Sequence, residues 1–232
     1  MRSEGSAPLG CVSPRHSSAR PAPQLTSGVS SRRLASPMQP TLITSRLQLR
    51  PAQPDDVDAL WRLWTDPEVR RYLWDDRAIT REEAAAALAD CSALGAQGLG
   101  LWLVWLADAA GAAGATRPSG DSARGCAGLL PVSTAADYDA RLAGLVEPLV
   151  ALAPSAWRRG YASEALAELV RYAHARLGLD RLAGVTDVPN AASDRMLRRV
   201  GFRVLGEAPG PRHPLRTYLW QPDATRGGAP AG

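Results

Sequence analysis

Residues 157–165 read WRRGYASEA, two arginines and a glycine immediately ahead of a strongly amphipathic helix pattern. A helix start presents unpaired backbone N–H groups and the positive end of the helix dipole. With no side chain on Gly160, the amides of Arg158, Arg159, Gly160, Tyr161, Ala162 and Ser163 can close on a diphosphate, and the two arginines add charge beside it. Hydrogen bonds to charged groups contribute about 1.5–3 kcal/mol each, so three or four would dominate the anchoring of an anionic ligand. The same glycine also reads as a plain hinge between loop and helix, with two solvated arginines before it. These residues alone leave both readings open.

All 27 basic residues are arginine, and the absence of lysine removes several chemistries. A Walker-type phosphate loop, a kinase strand lysine and a pyridoxal Schiff base each need a lysine. The net charge of +4 is carried by residues 1–37, which hold five arginines against Glu4, while 22 arginines balance 22 acids in the remainder. A nucleic-acid partner calls for a basic face on the folded part, so no DNA partner is expected. Cys11, Cys91 and Cys126 are odd in number and far apart, and with His16, His174 and His213 scattered they form no metal-ligand spacing. A cytoplasmic protein without a structural metal is the resulting expectation.

The elements that position the glycine loop are read from periodicity. The chain of 232 residues suits one domain, and no apolar run approaches the roughly 18 residues of a membrane span. Residues 1–37 are rich in Ser, Pro and Arg without hydrophobic period and are expected to be a disordered tail, as are residues 223–232; Met38 opens the patterned sequence and is a possible natural start. Between them a single domain is expected over residues 40–222. "LQLR" at 47–50 alternates as a strand, and Pro54 opens a helix with Val57, Leu60, Trp61 and Trp64 on one face. Thr80 and Glu83 form a capping box for a second helix that Gly95 closes. Strands are expected at 101–106 and 125–132, separated by a Gly/Ala/Ser linker from Asp108 to Arg124. Another is expected at 145–154, where Pro148 demands a bulge or an edge. After the loop and its helix come a strand at 182–188, a short helix capped by Asn190 and closed by Gly201, and two last strands. The fold class is α/β (α+β), a mixed, mostly antiparallel sheet flanked by helices.

"WRRGYA" followed by "SEA" resembles the acetyl-CoA loop of the GNAT superfamily of N-acetyltransferases, whose pattern is Arg/Gln-x-x-Gly-x-Gly/Ala after a bulged strand. The leading tryptophan resembles the RimJ/RimL-like branch, the ribosomal-protein N-terminal acetyltransferases. "TSRLQLRP" at 44–51, "WTDPEVRRYL" at 64–73, "ITREEAAAAL" at 79–88 and "PNAASDRMLRRVGF" at 189–202 match in family order, and the resemblance covers about residues 40–207. It implies a splayed strand that pairs with the pantetheine arm through Val150, Leu152 and Ala153, and loop amides at Arg158 to Ser163 that hold the pyrophosphate. It places Asn190 on the cofactor, though Asn190 also reads as a simple N-cap, and Ser193 one helical turn on. Glu147 matches the strand glutamate that can act as base through water; it also reads as an ion-paired or solvent-facing strand residue. The tyrosine general acid of many members falls at Leu197 and is absent, with Ser193 a weak substitute.

The implied function is transfer of an acetyl group from acetyl-CoA, the cosubstrate, to a primary amine, a protein N-terminus or a small molecule, by a monomer or homodimer. At pH 7 an α-amine of pKa about 7.8 costs about 1.1 kcal/mol to deprotonate and a lysine about 4.6 kcal/mol, so a single base suits the α-amine. Tyr72, Trp74, Asp75 and Asp76 are candidates for the acceptor cleft, and a helix-end core cluster is the other reading of them. His213 and Arg216 stand where the branch often carries an acid. Two other classes stay open: a catalytically silent acyl-CoA-binding module, and an Arg-tailed RNA- or ribosome-associated protein.

Overall fold

In the computed structural model the described residues are 39–107, 123–132 and 139–222. The expected tails at 1–37 and 223–232, and residues 108–122 of the expected linker, lie outside them. The chain runs β1 (Leu42–Ile43), β2 (Leu47–Pro51), α1 (Val57–Thr65), α2 (Pro67–Arg70), α3 (Arg81–Ala93), β3 (Gly100–Leu106) and β4 (Gly125–Pro131). It continues β5 (Val146–Leu152), α4 (Tyr161–Leu177), β6 (Leu182–Asp187), α5 (Ala191–Arg199), β7 (Arg203–Ala208) and β8 (Leu215–Trp220).

Eight strands form one open sheet in the order β1-β2-β3-β4-β5-β6-β8-β7. Every neighbouring pair is antiparallel except β5 and β6. β3 packs on both faces of that sheet: with side chains alternating, Trp102 and Val104 enter one core with α4 and α5, while Leu101, Leu103 and Trp105 enter another with α1 and α3. The sheet is therefore covered on both faces, and burial rather than alternation made β3 continuous.

Local chemistry sets the helix ends. The Thr80 side chain accepts from Glu83 N–H while the Glu83 carboxylate accepts from Thr80 N–H, the expected capping box. Pro54 opens a single 3-10 turn, Pro54–Asp56, and α1 proper starts at Val57. Gly95 does not stop α3 in a left-handed conformation; a 3-10 turn, Gly95–Gln97, follows, and Gly98 at φ 74° ends it. Two elements escaped the sequence pattern, because β1 is too short to alternate and α2 is held by its cap: the Asp66 side chain accepts from Glu68 and Val69 N–H. Among the described residues no helix is long and apolar enough to cross a membrane.

Candidate active site

The sheet splits between its two parallel strands. β5 pairs with β4 through seven residues, Val146 to Leu152, but its register with β6 consists of Val146↔Leu182 alone. Leu145 O accepts from Val132 N–H and Ala153 N–H donates to Arg124 O, both at 2.8 Å, so odd-numbered residues turn their backbone groups toward β4. By the two-residue period of a strand, Pro148, Val150 and Leu152 turn theirs into the split. Pro148, which lacks an N–H, therefore forfeits no ladder bond, and its register with Leu129 is unbroken: of the bulge and the edge it allowed, β5 has the edge. Of the three residues expected along the pantetheine arm, Val150 and Leu152 face the opening. Ala153 does not offer its amide, which is spent on β4.

The loop after β5 begins with Trp157, whose indole N–H donates to Leu152 O at 2.7 Å. Arg158 (φ 60°) and Gly160 (φ 79°) are both left-handed, which turns the chain sharply into α4. The positive φ is what favours glycine at 160, because space does not demand it: the only atom within 4 Å of a Cβ there would be Arg46 Nη2 at 3.4 Å. The first helical bond runs from Glu164 N–H to Gly160 O, 3.1 Å, and α4 has no side-chain cap. Among the described residues, none of the amides from Arg158 to Ser163 donates to a side chain or a loop carbonyl. This row of donors has the chemistry of an anion cradle.

Glu147 lies one residue beyond the last β5–β6 pair. Its Oε1 accepts from the backbone N–H of Val185, on β6, at 3.2 Å. The side chain is buried, and burial pushes its pKa up to about 8 against the smaller opposing effect of the Val185 hydrogen bond. Among the described residues it faces no solvent and no ion-pair partner; the Val185 amide is its hydrogen-bond partner. The two cysteines among the described residues, Cys91 and Cys126, are buried free thiols, and burial pushes both up to about 12, so neither supplies a thiolate at neutral pH.

Because β5 and β6 run parallel, the loop after β5 and the turn after β6 lie at one end of the split. Asn190 caps α5 there, its Oδ1 accepting from Ser193 N–H at 3.2 Å. The next residue, Asp194, ties α5 to the sheet, accepting from Tyr218 Oη at 2.6 Å and from Arg216 Nη1 at 3.1 Å. Its pKa falls to about 2, first through the Tyr218 hydrogen bond. Arg216 also donates to Glu207, so two carboxylates hold its guanidinium against α5 and β7.

The acceptor candidates divide. Trp74 is core, buried with its ring 5.6 Å from Trp64. Tyr72 donates to Pro189 O at 3.4 Å and its ring lies 6.3 Å from that of His213. Asp76 meets Arg212 at 3.3 Å. These contacts bring the segment after α2 against the β7–β8 loop and the β6–α5 turn. Trp74, Asp75 and Asp76 all have positive φ, a left-handed turn of three non-glycine residues that no sequence signal marks.

An acetyltransferase (GNAT) domain family model matches residues 46–203. The uncharacterized N-acetyltransferase YoaA of Bacillus subtilis is 28% identical over 185 residues, 79% of this chain and 90% of the relative. The FsC-acetyl coenzyme A-N(2)-transacetylase of Aspergillus fumigatus is 32% identical over 167 residues, 71% of this chain and 65% of the relative. A solved structure of RimL, a ribosomal L7/L12 alpha-N-protein acetyltransferase, in complex with coenzyme A shares the fold with a TM-score of 0.60 at 19% identity, covering 78% of this chain and 97% of the other.

Proposed function

This chain belongs to the GNAT acetyltransferase family and is an N-acetyltransferase, and on that premise we propose that it carries an acetyl group from acetyl-CoA to a low-pKa primary amine, a protein N-terminal α-amine or a small-molecule amine. The observation that carries the reading is the split between β5 and β6 with a row of unspent amides at its end. An extended pantetheine arm has two amides of its own, and Val150 with the N–H of Leu152, whose carbonyl already accepts from Trp157, offers it a strand edge to pair with. The cradle from Arg158 to Ser163 suits the diphosphate, and Asn190, on the neighbouring turn, the same cosubstrate.

Glu147 supplies the proton acceptor. The neutral amine attacks the thioester carbonyl, the N–C bond forms, the C–S bond breaks, and the proton shed by the nitrogen passes to the Glu147 carboxylate directly or through water. A base of pKa about 8 is matched to an α-amine, and a lysine would stay almost wholly protonated at the same pH. The departing thiolate needs no strong acid: a hydroxyl can stabilise it by a hydrogen bond, for which Ser193 is our candidate, and the proton gathered at Glu147 or from water completes the thiol. Tyr218 is not a candidate: its hydroxyl is committed to the Asp194 carboxylate, and burial raises its pKa further.

Within the family we place the chain in the RimJ/RimL-like branch, on the motifs that match it in order and on Glu147 at the split. We place it in the cytoplasm, on cysteines too scattered for a disulfide framework. A thiol-release screen with acetyl-CoA over small amines and N-terminal peptides tests the proposal. Release with an α-amine acceptor well above that with a lysine side chain supports it. Acetyl-CoA binding without release across the whole set contradicts it and leaves a silent binding module.

A further inference from the structure

The diphosphate loop has nothing in the core to hold it. Residues 157–160 are all exposed, and two of the four are left-handed. Trp157 pins one end to Leu152 O. The other end is pinned from the β1–β2 hairpin, 113 residues earlier, where Arg46 Nη1 donates to Arg159 O at 2.9 Å. The same guanidinium donates through Nε to Glu164 Oε2 at 2.7 Å and lies 4.8 Å from the centre of the Tyr161 ring. Glu164 Oε1 in turn accepts from Thr44 Oγ1 at 2.5 Å, Ser45 Oγ at 3.1 Å and Arg46 N–H at 3.0 Å.

We propose that the Thr44-Ser45-Arg46 corner and Glu164 form a clamp that sets the diphosphate loop in its amide-outward shape, making Arg46 and Glu164 positioning residues for the nucleotide end of acetyl-CoA. This rests on reading that loop as the diphosphate site. The clamp has two effects. It fixes the Arg159 carbonyl, and with it the orientation of the peptide that carries the Gly160 amide. It also compensates a charge, because the Glu164 carboxylate stands in the first turn of α4, beside the amides that would meet the diphosphate, and alone would repel it. Burial works to raise the pKa of Glu164, but the bonds from Thr44, Arg46 and Ser45 outweigh it and hold the group ionised. Losing Arg46 therefore releases the loop and uncovers a negative charge in one step.

The test compares two donors. Thiol release with the best amine of a panel is measured for the wild type and Arg46→Ala, using acetyl-CoA and acetyl-pantetheine, which has no diphosphate; acetyl-CoA affinity is measured separately by calorimetry. The expected result is an acetyl-CoA Kd at least about tenfold weaker, and a loss of kcat/KM at least about tenfold larger with acetyl-CoA than with acetyl-pantetheine. An unchanged Kd, or equal losses with both donors, overturns the clamp, since a merely structural role would affect both alike. If the alanine variant fails to fold, Arg46→Lys keeps the charge but cannot bridge Glu164 and the Arg159 carbonyl together, and the same donor dependence is expected at smaller size. A wild-type protein that uses the two donors equally well overturns the diphosphate reading itself, and that result needs no variant.

Discussion

The Glu147 carboxylate spans the split in the sheet, accepting from the Val185 amide at 3.2 Å just past the point where their strands last pair. An amide that would serve a strand partner serves a side chain here, so the opening is built around an ionisable group. Burial holds that group largely protonated at neutral pH and leaves it ready to ionise slightly above.

Activity should carry that signature. Transfer needs both a neutral amine and an ionised Glu147, so log kcat/KM for an α-amine should climb with a slope approaching about 2 below pH ~7.5 and level off above about 8. Glu147→Gln keeps the size and the Val185 hydrogen bond but cannot take a proton. Its profile should have a slope of about 1, and its deficit should deepen from pH 6 to 8. A deficit of constant size across that range would assign Glu147 to structure alone.

Stability should move the opposite way in the same variant. The folded pKa of about 8 lies above the ordinary 4.5, so the fold prefers the protonated carboxyl. That preference is fully present below pH 4.5, is eroded as the pH rises toward 8 and is gone above it, each pKa unit being worth about 1.4 kcal/mol. Thermal unfolding should show Glu147→Gln close to the wild type at pH 4.5 and several degrees more stable at pH 9. A wild type as stable as the variant at pH 9 would show that the carboxylate is better solvated than its burial implies.

The tie between α5 and the sheet makes a separate prediction. Tyr218→Phe removes a buried hydroxyl that donates to the Asp194 carboxylate, a bond to a charged acceptor worth about 1.5–3 kcal/mol. The lower end applies, because Arg198 and Arg216 still reach the carboxylate. Asp194 has a depressed pKa of about 2, so its contribution is present above the ordinary 3.8 and is lost as the pH falls through 2. Urea unfolding at pH 7 should show the deficit, and it should shrink near pH 2; an equal deficit at both values would mean the bond does not depend on the charge.

What the sequence disclosed and what it hid follow from distance along the chain. Gly160, Asn190 and the Thr80–Glu83 box are local devices, in which residue type and spacing within four positions determine the backbone, and the structure has each at its cap. Pro148 announced a bulge or an edge, but neither which of them nor that the edge would be the side facing β6, because only strand order decides that. The Arg46–Glu164 pairing had no signal of its own. "TSRL" and "SEA" were both visible, yet 118 residues separate the two partners and no spacing rule joins them. Trp74 read either as a cleft residue beside acids or as part of a helix-end core cluster, and burial against Trp64 made it core.

The central claim is that the loop after β5 holds the diphosphate of acetyl-CoA, and Gly160→Asn tests it most directly. Asparagine tolerates a left-handed φ, and nothing but Arg46 Nη2 lies within 4 Å of the position its Cβ would take, so the loop and α4 should keep their shape. Calorimetric titration of acetyl-CoA should show one-to-one binding by the wild type and affinity at least about tenfold weaker in the variant, about 1.4 kcal/mol, with circular dichroism unchanged. Equal affinity in the two proteins, or no binding by the wild type, would contradict the account.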